Sequence, residues 1–355
     1  MNERDLTEDI YTRYPGGRGN ARATALLCAL ARKLNRHQDA MALGLAAVAA
    51  APHDMEVRDI VRAALSGDVP VFHAPMLHDQ ARNLAYARAI ERHVRPGMTV
   101  LEIGTGAGLL ALLAARAGAR VVTCEANPMI AAAAREIAHR NGLSDRIEVI
   151  AKQSDAIEIG VDLAEPADLL LHEIFGDTLF GEGVVGSLTD ARARLLKPAA
   201  PILPPRAELR CALVERTTPR TDLAMVEGFD LSPFDLLSSP AGYTANARSR
   251  RALPRSEPQS ALRLDFMAPP PFGAESETIA LTSTGGRIDA IAQWLRIDFG
   301  DGDVLENDPF TGTPSHWGAP LFDLVAPIDT KPGEVISVAL RRVASRLTVK
   351  VELQA

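Results

Sequence analysis

Residues 99–108, Thr-Val-Leu-Glu-Ile-Gly-Thr-Gly-Ala-Gly, decide the fold of this chain. Apolar residues lead directly into glycines at positions 104, 106 and 108, and an apolar helical pattern follows over Leu109–Ala117. Glycine lets the backbone turn sharply and approach a ligand closely. The stretch therefore predicts a strand, a ligand-binding loop and a helix in succession.

The surrounding pattern predicts an α/β sheet. Further short apolar runs are typical of parallel strands, and the helical pattern Met129–Asn141 lies between two of them. The runs are Arg120–Cys124, Ile147–Ile150 and Ala167–Leu171. Apolar strands that alternate with helices indicate a doubly wound, Rossmann-like sheet.

The two ends of the chain differ from this middle part. Residues 1–70 are rich in alanine, with helical patterns at Ala23–Leu34 and Ala40–Ala51, and predict a helical appendage. Residues 36–58 resemble one tetratricopeptide hairpin, but a single repeat cannot bury its own apolar face. We expect a middle domain over 71–203 and an antiparallel β-barrel over 204–355. The barrel strands are predicted at Glu208–Glu215, Ala261–Phe266, Thr278–Leu281, Ala290–Phe299, Val335–Leu340 and Arg346–Leu353.

Composition excludes several classes of protein. Of the 355 residues, 47% are hydrophobic, as in globular proteins with large cores, and the net charge of −7 argues against a nucleic-acid binder. The same charge suits a cationic substrate. Three widely spaced cysteines offer neither a zinc site nor a disulfide framework, so no metal is expected and a reducing compartment is indicated. The charged N-terminus has no apolar signal region, and no apolar run could span a membrane, which predicts a cytoplasmic protein.

The details of the glycine loop distinguish between nucleotide cofactors. A dinucleotide fingerprint needs a third glycine at position 109, where this chain has Leu109. Instead, G-x-G-x-G is preceded by Glu102, a form typical of class I methyltransferases, which use S-adenosyl-L-methionine. Glu125 ends the next strand, where a carboxylate can accept hydrogen bonds from both hydroxyls of a ribose. Ser154 and Asp155 follow the third strand, where that class usually contacts adenine.

A pair of glutamates follows the fourth strand. The loop His172-Glu173-Ile-Phe-Gly-Asp-Thr-Leu-Phe-Gly-Glu182-Gly183 lies at the carboxyl edge of the predicted sheet, where α/β enzymes bind ligands. Guanidinium stays protonated and is a poor nucleophile. Two carboxylates can hold it in one plane and draw positive charge away from the nitrogen that accepts a methyl group. Glu173 and Glu182 are therefore the predicted catalytic pair.

At this point the chain resembles the protein arginine methyltransferases, over about residues 71–353. The double-glutamate loop is most similar to the branch that makes monomethylarginine, and Met76-Leu77-His78-Asp79-x-x-Arg82 is similar to the family's helix before the glycine loop. The resemblance implies that Arg82 binds the carboxylate of the cofactor. It also implies that His316 and Trp317, in a Ser-His-Trp loop, lie beside the glutamates, and that His316 assists catalysis. Val226–Ser232 resembles the start of a dimerisation arm, expected over about 222–255, and the resemblance implies a homodimer.

The chain departs from the family's pattern in several places, the first of them just before Met76, and three other functions stay open. Phe72-His73-Ala74-Pro75 stands where family members often place tyrosines that cover the cofactor. A methyltransferase could act on another acceptor, such as lysine or a small molecule, but two glutamates have no special use there. Leu109 disfavours a nicotinamide oxidoreductase. A non-enzymatic scaffold that binds the cofactor would share the glycine loop.

Overall fold

The structure, a computed structural model, describes residues 10–217, 225–237, 241–245, 252–312 and 314–352. It has two compact units. The first comprises Met1–Pro75 and Val94–Ala167, and the second comprises Met76–His93 and Asp168–Ala355. N-terminal helices, parallel α/β structure and an antiparallel β sheet are all present, so the predicted fold class is confirmed. The predicted domain boundaries at 70 and 203 remain predictions.

Three helices form the N-terminal part of the first unit: α1 (Ala21–Lys33), α2 (His37–Ala50) and α3 (Met55–Leu65). Polar side chains cap the N-termini of two of these helices, because the backbone N–H groups of the first helical turn have no partners within the helix. The Asn20 side chain accepts from the amide of Ala23, and Asp54 accepts from Glu56 and Val57. Their inner faces form one buried cluster of mostly small residues.

The parallel strands of the first unit are β1 (Thr99–Ile103), β2 (Arg120–Cys124) and β3 (Ile147–Ile150), with β2 paired to both others. These bounds are the predicted ones, because strands buried on both faces are continuous apolar runs. Two helices follow the first two strands, α6 (Leu109–Arg116) and α7 (Pro128–Arg140). Asn127 caps α7 by accepting from the amides of Met129 and Ile130.

The short helix α4 (His73–His78) spans the boundary between the units, and α5 (Gln80–His93) begins the second. The second unit also contains the parallel pair β4 (Leu169–His172) and β5 (Ile202–Leu203), with α8 (Val184–Arg194) between them in sequence. Residues 173–183 therefore connect the carboxyl end of β4 to α8.

An antiparallel sheet makes up the rest of the second unit. Its strands are β6 (Arg206–Arg216), β7 (Ala241–Ala245), β8 (Ala252–Pro254), β9 (Gln259–Asp265), β10 (Ser276–Asp298), β11 (Val304–Glu306), β12 (Ala319–Val343) and β13 (Arg346–Glu352). The order of the main strands in the sheet is β13-β12-β10-β6-β8. Of the other three strands, β7 pairs with β12, β9 with β6 and β11 with β10.

The predictions for the two longest strands of this sheet are wrong. Strand β12 runs over Ala319–Val343, where only Val335–Leu340 was expected. Thr278–Leu281 and Ala290–Phe299 were expected as separate strands, but Ser276–Asp298 is one strand, which pairs with β12 from Ser276 to Ala292. The pairing shifts register between Thr282 and Thr284 and again between Ile288 and Ala290. Such β-bulges bend a strand and interrupt its alternating pattern without ending it.

Three further predictions concern membrane-spanning helices, the cysteines and the dimerisation arm. Among the described residues, no helix is both long and apolar enough to cross a bilayer. Cys28, Cys124 and Cys211 are buried free thiols. The predicted dimerisation arm at 222–255 lies partly outside the described residues, which omit 218–224, 238–240 and 246–251.

Candidate active site

The glycine loop and Glu125 contact each other directly. Gly104, Gly106 and Gly108 have φ angles of 84°, 51° and 79°, a region that side chains disfavour. The amide of Gly106 donates to Oε2 of Glu125 at 3.0 Å, and the amide of Asn127 donates to Oε1 at 2.9 Å. A carboxylate has about four acceptor positions, so the half-buried Glu125 can still accept hydroxyl donors from a ligand.

Glu102 lies beneath this loop rather than on its surface. Its side chain is buried, and Oε2 accepts from the hydroxyl of Thr123 at 2.6 Å. The hydroxyls of Thr123 and Thr105 are also 2.6 Å apart, which links Glu102 to the side chain of Thr105 in the glycine loop. The observed contacts of Glu102 thus support the loop, and its predicted contact with the cofactor stays a prediction.

Ser154 and Asp155 occupy one turn of 3-10 helix, Ser154–Ala156, after β3. Ser154 is buried, whereas Asp155 is exposed. Since the carboxyl ends of parallel strands share one edge of a sheet, both residues follow the same edge of β1–β3 as Glu125. Their contact with adenine remains a prediction.

A second cluster of predicted residues forms in the second unit. Arg82, on α5, makes a buried ion pair with Glu173, just after β4, and the two side chains are only 3% and 5% exposed. The amide of Arg82 donates to Oδ1 of Asp79 at 3.0 Å, and its guanidinium lies over the ring of Tyr86. Glu173 is therefore a buried carboxylate that already binds a guanidinium.

His316 joins this cluster from the loop before β12. Its Nδ1 lies 2.9 Å from Oδ2 of Asp79, and its Nε2 lies 3.4 Å from Oε1 of Glu173. Burial alone would lower the pKa of His316, but hydrogen bonds to Asp79 and Glu173 and their negative charges raise it above its ordinary value. Burial likewise opposes ionisation of Asp79, but hydrogen bonds from His316 and from backbone amides lower its pKa to about 2. These contacts therefore favour the protonated, charged form of the His316 imidazole, which contacts the carboxylates of Asp79 and Glu173.

The loop after Glu173 is fixed by contacts along its length. A Cβ on Gly176 would lie 3.1 Å from Cα of Gly181, so the loop folds back tightly on itself. The Trp317 indole donates to the carbonyl of Phe175 at 2.9 Å, and the amide of Gly318 donates to Asp177 at 2.8 Å. Trp317 thus packs against the glutamate loop, and Asp177 orders the turn.

Glu182 and His172 have contrasting surroundings. Glu182 is exposed near the end of the loop. His172 is completely buried, edge-on to the rings of Phe175 and Phe266, and burial lowers its pKa to about 3. His172 is therefore a neutral, packed side chain immediately before Glu173.

Sequence reasoning missed two members of the second cluster. Asp79 was quoted only as part of a motif, yet its carboxylate accepts from both the side chain and the amide of His316. Tyr86 donates from its hydroxyl to the carbonyl of His172 at 3.0 Å. The available signal was helical spacing: Asp79, Arg82 and Tyr86 lie three and four positions apart, and this spacing places them on one face of a helix.

The comparisons with known proteins agree on methyltransferases. Residues 86–200 match the family model of ribosomal protein L11 methyltransferase (PrmA). In structure, the chain is similar to the Trypanosoma brucei PRMT1 enzyme–prozyme heterotetrameric complex with AdoHcy, with a TM-score of 0.69 and 23% identity over 80% of this chain and 94% of that one. Arabidopsis thaliana protein arginine methyltransferase 10 gives a TM-score of 0.62 at 23% identity, over 79% and 92%. At 23% identity these likenesses show a shared fold, and the family model indicates a methyltransferase over residues 86–200.

Relatives found by sequence show which family of methyltransferases the chain belongs to. Arginine N(omega)-methyltransferase of Streptomyces achromogenes subsp. streptozoticus is 38% identical over 292 residues, which are 81% of this chain and 79% of that protein. Protein arginine N-methyltransferase 1.6 of Arabidopsis thaliana is 32% identical over 263 residues, 68% of this chain but only 36% of that protein. Protein arginine N-methyltransferase 7 of Danio rerio is 31% identical over 74% of this chain and 43% of its own length. The chain therefore belongs to the arginine N-methyltransferase family, although it spans less than half of these plant and fish relatives.

Proposed function

We propose that this enzyme methylates a guanidinium nitrogen of arginine in a protein or peptide. The observation that carries this proposal is the buried Glu173 carboxylate, which binds the guanidinium of Arg82 and faces His316. A carboxylate that is buried and already oriented needs little reorganisation to bind a second planar cation. Glu182, exposed on the same loop, is the proposed second carboxylate for the acceptor.

The cofactor residues of this chain fit S-adenosyl-L-methionine, which supplies an activated methyl group on a sulfonium. Glu125 offers free acceptor positions for ribose hydroxyls beside the Gly106 amide. Nε of Arg82 is buried and has no hydrogen-bond partner within the described ranges, a costly state for a charged donor. A ligand carboxylate would satisfy it, which supports the proposed role of Arg82.

In the proposed reaction, the bond from sulfur to the methyl carbon breaks as the bond from the arginine nitrogen to that carbon forms. Glu173 and Glu182 orient the guanidinium and lower the charge on the attacking nitrogen. One proton leaves the methylated guanidinium, and the His316–Asp79 pair can pass it to solvent once His316 is neutral. Trp317 fixes the backbone of the glutamate loop and walls the acceptor pocket.

The decisive experiment replaces each glutamate without changing its shape. Glu173→Gln and Glu182→Gln should each lower the rate of methyl transfer to an arginine peptide by roughly a hundredfold or more, because a charge-assisted contact is lost from the transition state. S-adenosylhomocysteine should still bind both variants. Glu257→Gln, an exposed glutamate of the same unit, is the control and should retain full activity. Near-normal turnover of both loop variants would contradict the proposal.

Free arginine is a second candidate acceptor. The Streptomyces relative, matched over most of both chains, is named for arginine rather than for protein arginine. Methylation rates with L-arginine and with an arginine peptide distinguish free arginine from protein arginine as the acceptor. The matching lysine peptide tests whether a guanidinium is needed at all, because ammonium lacks its planar fork. We expect the arginine peptide to be methylated fastest and the lysine peptide not at all; a faster reaction with lysine would rule out both arginine candidates.

We further propose a cytoplasmic homodimer. Within the predicted arm, several apolar side chains are exposed: Met225, Phe229, Phe234 and Leu237. Exposed apolar side chains concentrated in one short stretch of chain support an interface there. The three buried free cysteines suit a reducing compartment such as the cytoplasm.

A further inference from the structure

A cavity of about 410 Å³ lies in the first unit, between the N-terminal helices and α7. The N-terminal helices contribute Val48, Val61 and Leu65 to its wall, and α7 contributes Met129 and Ile137. Its volume is within the range of small-molecule sites, which are mostly apolar with a few polar groups. Filling it with an apolar molecule would remove exposed hydrocarbon from water.

Two cations at this cavity indicate the charge of its occupant. Arg58 and Arg62 both line it and are one turn apart on α3. In the described part of the chain, neither guanidinium forms an ion pair with a carboxylate, and Arg58 donates only to the carbonyl of Pro52 at 3.2 Å. By contrast, Arg22 and Arg32 on the neighbouring α1 are paired with Glu56 and Asp68. The arginines of the cavity are therefore available to an anion.

The cavity also touches the cofactor loop. Gly106 and Ala107 form part of its wall, but Glu125 does not, and neither do Ser154 and Asp155. The ribose and adenine positions proposed above thus lie outside it. An occupant of the cavity would contact Gly106, the residue whose amide binds Glu125.

We propose that this cavity binds an aliphatic carboxylate, with its chain between α3 and α7 and its carboxylate at Arg58 and Arg62. The apolar wall accounts for the chain, and the two arginines account for the charge. The cavity shares Gly106 and Ala107 with the cofactor loop, but neither Glu173 nor Glu182 lines it, so the proposal does not depend on the identity of the acceptor.

Titration calorimetry with decanoate and octanoate tests the proposal on the full-length protein. We expect saturable 1:1 binding of decanoate, and octanoate should bind roughly tenfold more weakly because two buried methylenes are lost. Uncharged 1-decanol should bind more weakly than decanoate. An absence of saturable binding, or equal affinity for the alcohol and the carboxylate, would overturn the proposal.

Single substitutions in the cavity wall test whether decanoate binds there. Arg58→Gln and Arg62→Gln should each weaken decanoate binding by roughly tenfold, while Arg116→Gln, an exposed arginine on α6, should leave it unchanged. Ala133→Phe places a ring in the cavity and should abolish binding, with S-adenosylhomocysteine affinity as the check that the protein is folded. If saturating S-adenosylhomocysteine eliminates decanoate binding to the wild type, the cavity is part of the cofactor site and the proposal is wrong.

Discussion

Backbone amides donate to both carboxylate oxygens of Glu125, and its proposed contribution to cofactor binding can be tested by a single substitution. Glu125→Ala should weaken S-adenosylhomocysteine binding roughly tenfold to a hundredfold, the loss expected for one or two charged hydrogen bonds. Isothermal titration measures it. Glu148→Gln, on the exposed side of β3, is the control. Unchanged affinity of Glu125→Ala would remove this residue from the cofactor site.

The His316–Asp79 pair should make stability depend on pH. The folded pKa of His316 is raised, so its stabilisation is present below the ordinary histidine pKa of about 6.5 and is lost as pH rises through the folded value. Asp79, with its pKa lowered to about 2, stabilises the fold above about pH 4 and loses that effect as pH falls towards 2.

Urea unfolding of His316→Gln checks this expectation. The free energy of unfolding that the substitution removes should be larger near pH 6 than near pH 9. His53→Gln, before α3 and exposed, should change stability little at either pH. A loss for His316→Gln that is the same at both pH values would contradict a charged His316.

Individual site residues were predictable where they follow an apolar strand, and their contacts were not. Glu125 and Glu173 come directly after β2 and β4, so the strand pattern alone placed them at a sheet edge. The ion pair between Arg82 and Glu173 joins residues 91 positions apart. No local periodicity encodes such a contact. Helical spacing groups Asp79 with Arg82, but the contact of Asp79 with His316 joins residues 237 positions apart and has no local signal.

Among the elements, α8 allows a matched test of glycine conformation. Gly183 and Gly186 both have open space where a Cβ would be, but only Gly183 has a positive φ, of 73°. Gly186→Ala should raise the free energy of unfolding by about 0.5–1 kcal/mol, because alanine loses less entropy in a helix. Gly183→Ala should lower it by about 1 kcal/mol, because the left-handed conformation strains alanine.

Urea titrations of the two variants provide the measurement. Equal effects of the same sign would show that the backbone at Gly183 does not hold this conformation. Because Gly183 adjoins Glu182, the stability of each variant is measured without reference to activity.

Elements differed in how well their patterns predicted them. The parallel strands β1, β2 and β3 were predicted at their observed bounds, since each is a short buried run between helices. The long strands β10 and β12 were not, because bulges and the consecutive glycines Gly285 and Gly286 interrupt their alternation. Pairing with the neighbouring strand continues across such interruptions, and pairing is a tertiary property.

At the scale of the whole molecule, the exposed apolar side chains of the predicted arm imply association. We expect light scattering to show a homodimer, and Phe229→Asp together with Phe234→Asp to shift it to monomer, since a charge in an apolar interface is costly. Leu253→Asp, an exposed leucine on β8, is the control. A wild-type monomer with full activity at every accessible concentration would exclude the arm as an interface.

Two aromatic side chains hold the backbone on either side of Glu173: Tyr86 at the carbonyl of His172, and Trp317 at the carbonyl of Phe175. The backbone contacts that position the Glu173 side chain therefore do not depend on its carboxylate. Glu173→Gln should retain the loop geometry while turnover is lost. Immobilised with S-adenosylhomocysteine, which has no methyl group to transfer, the wild-type protein would serve as bait that retains its acceptors from a mixture of peptides, and Glu173→Gln would be the matched control for binding that does not depend on the Glu173 charge.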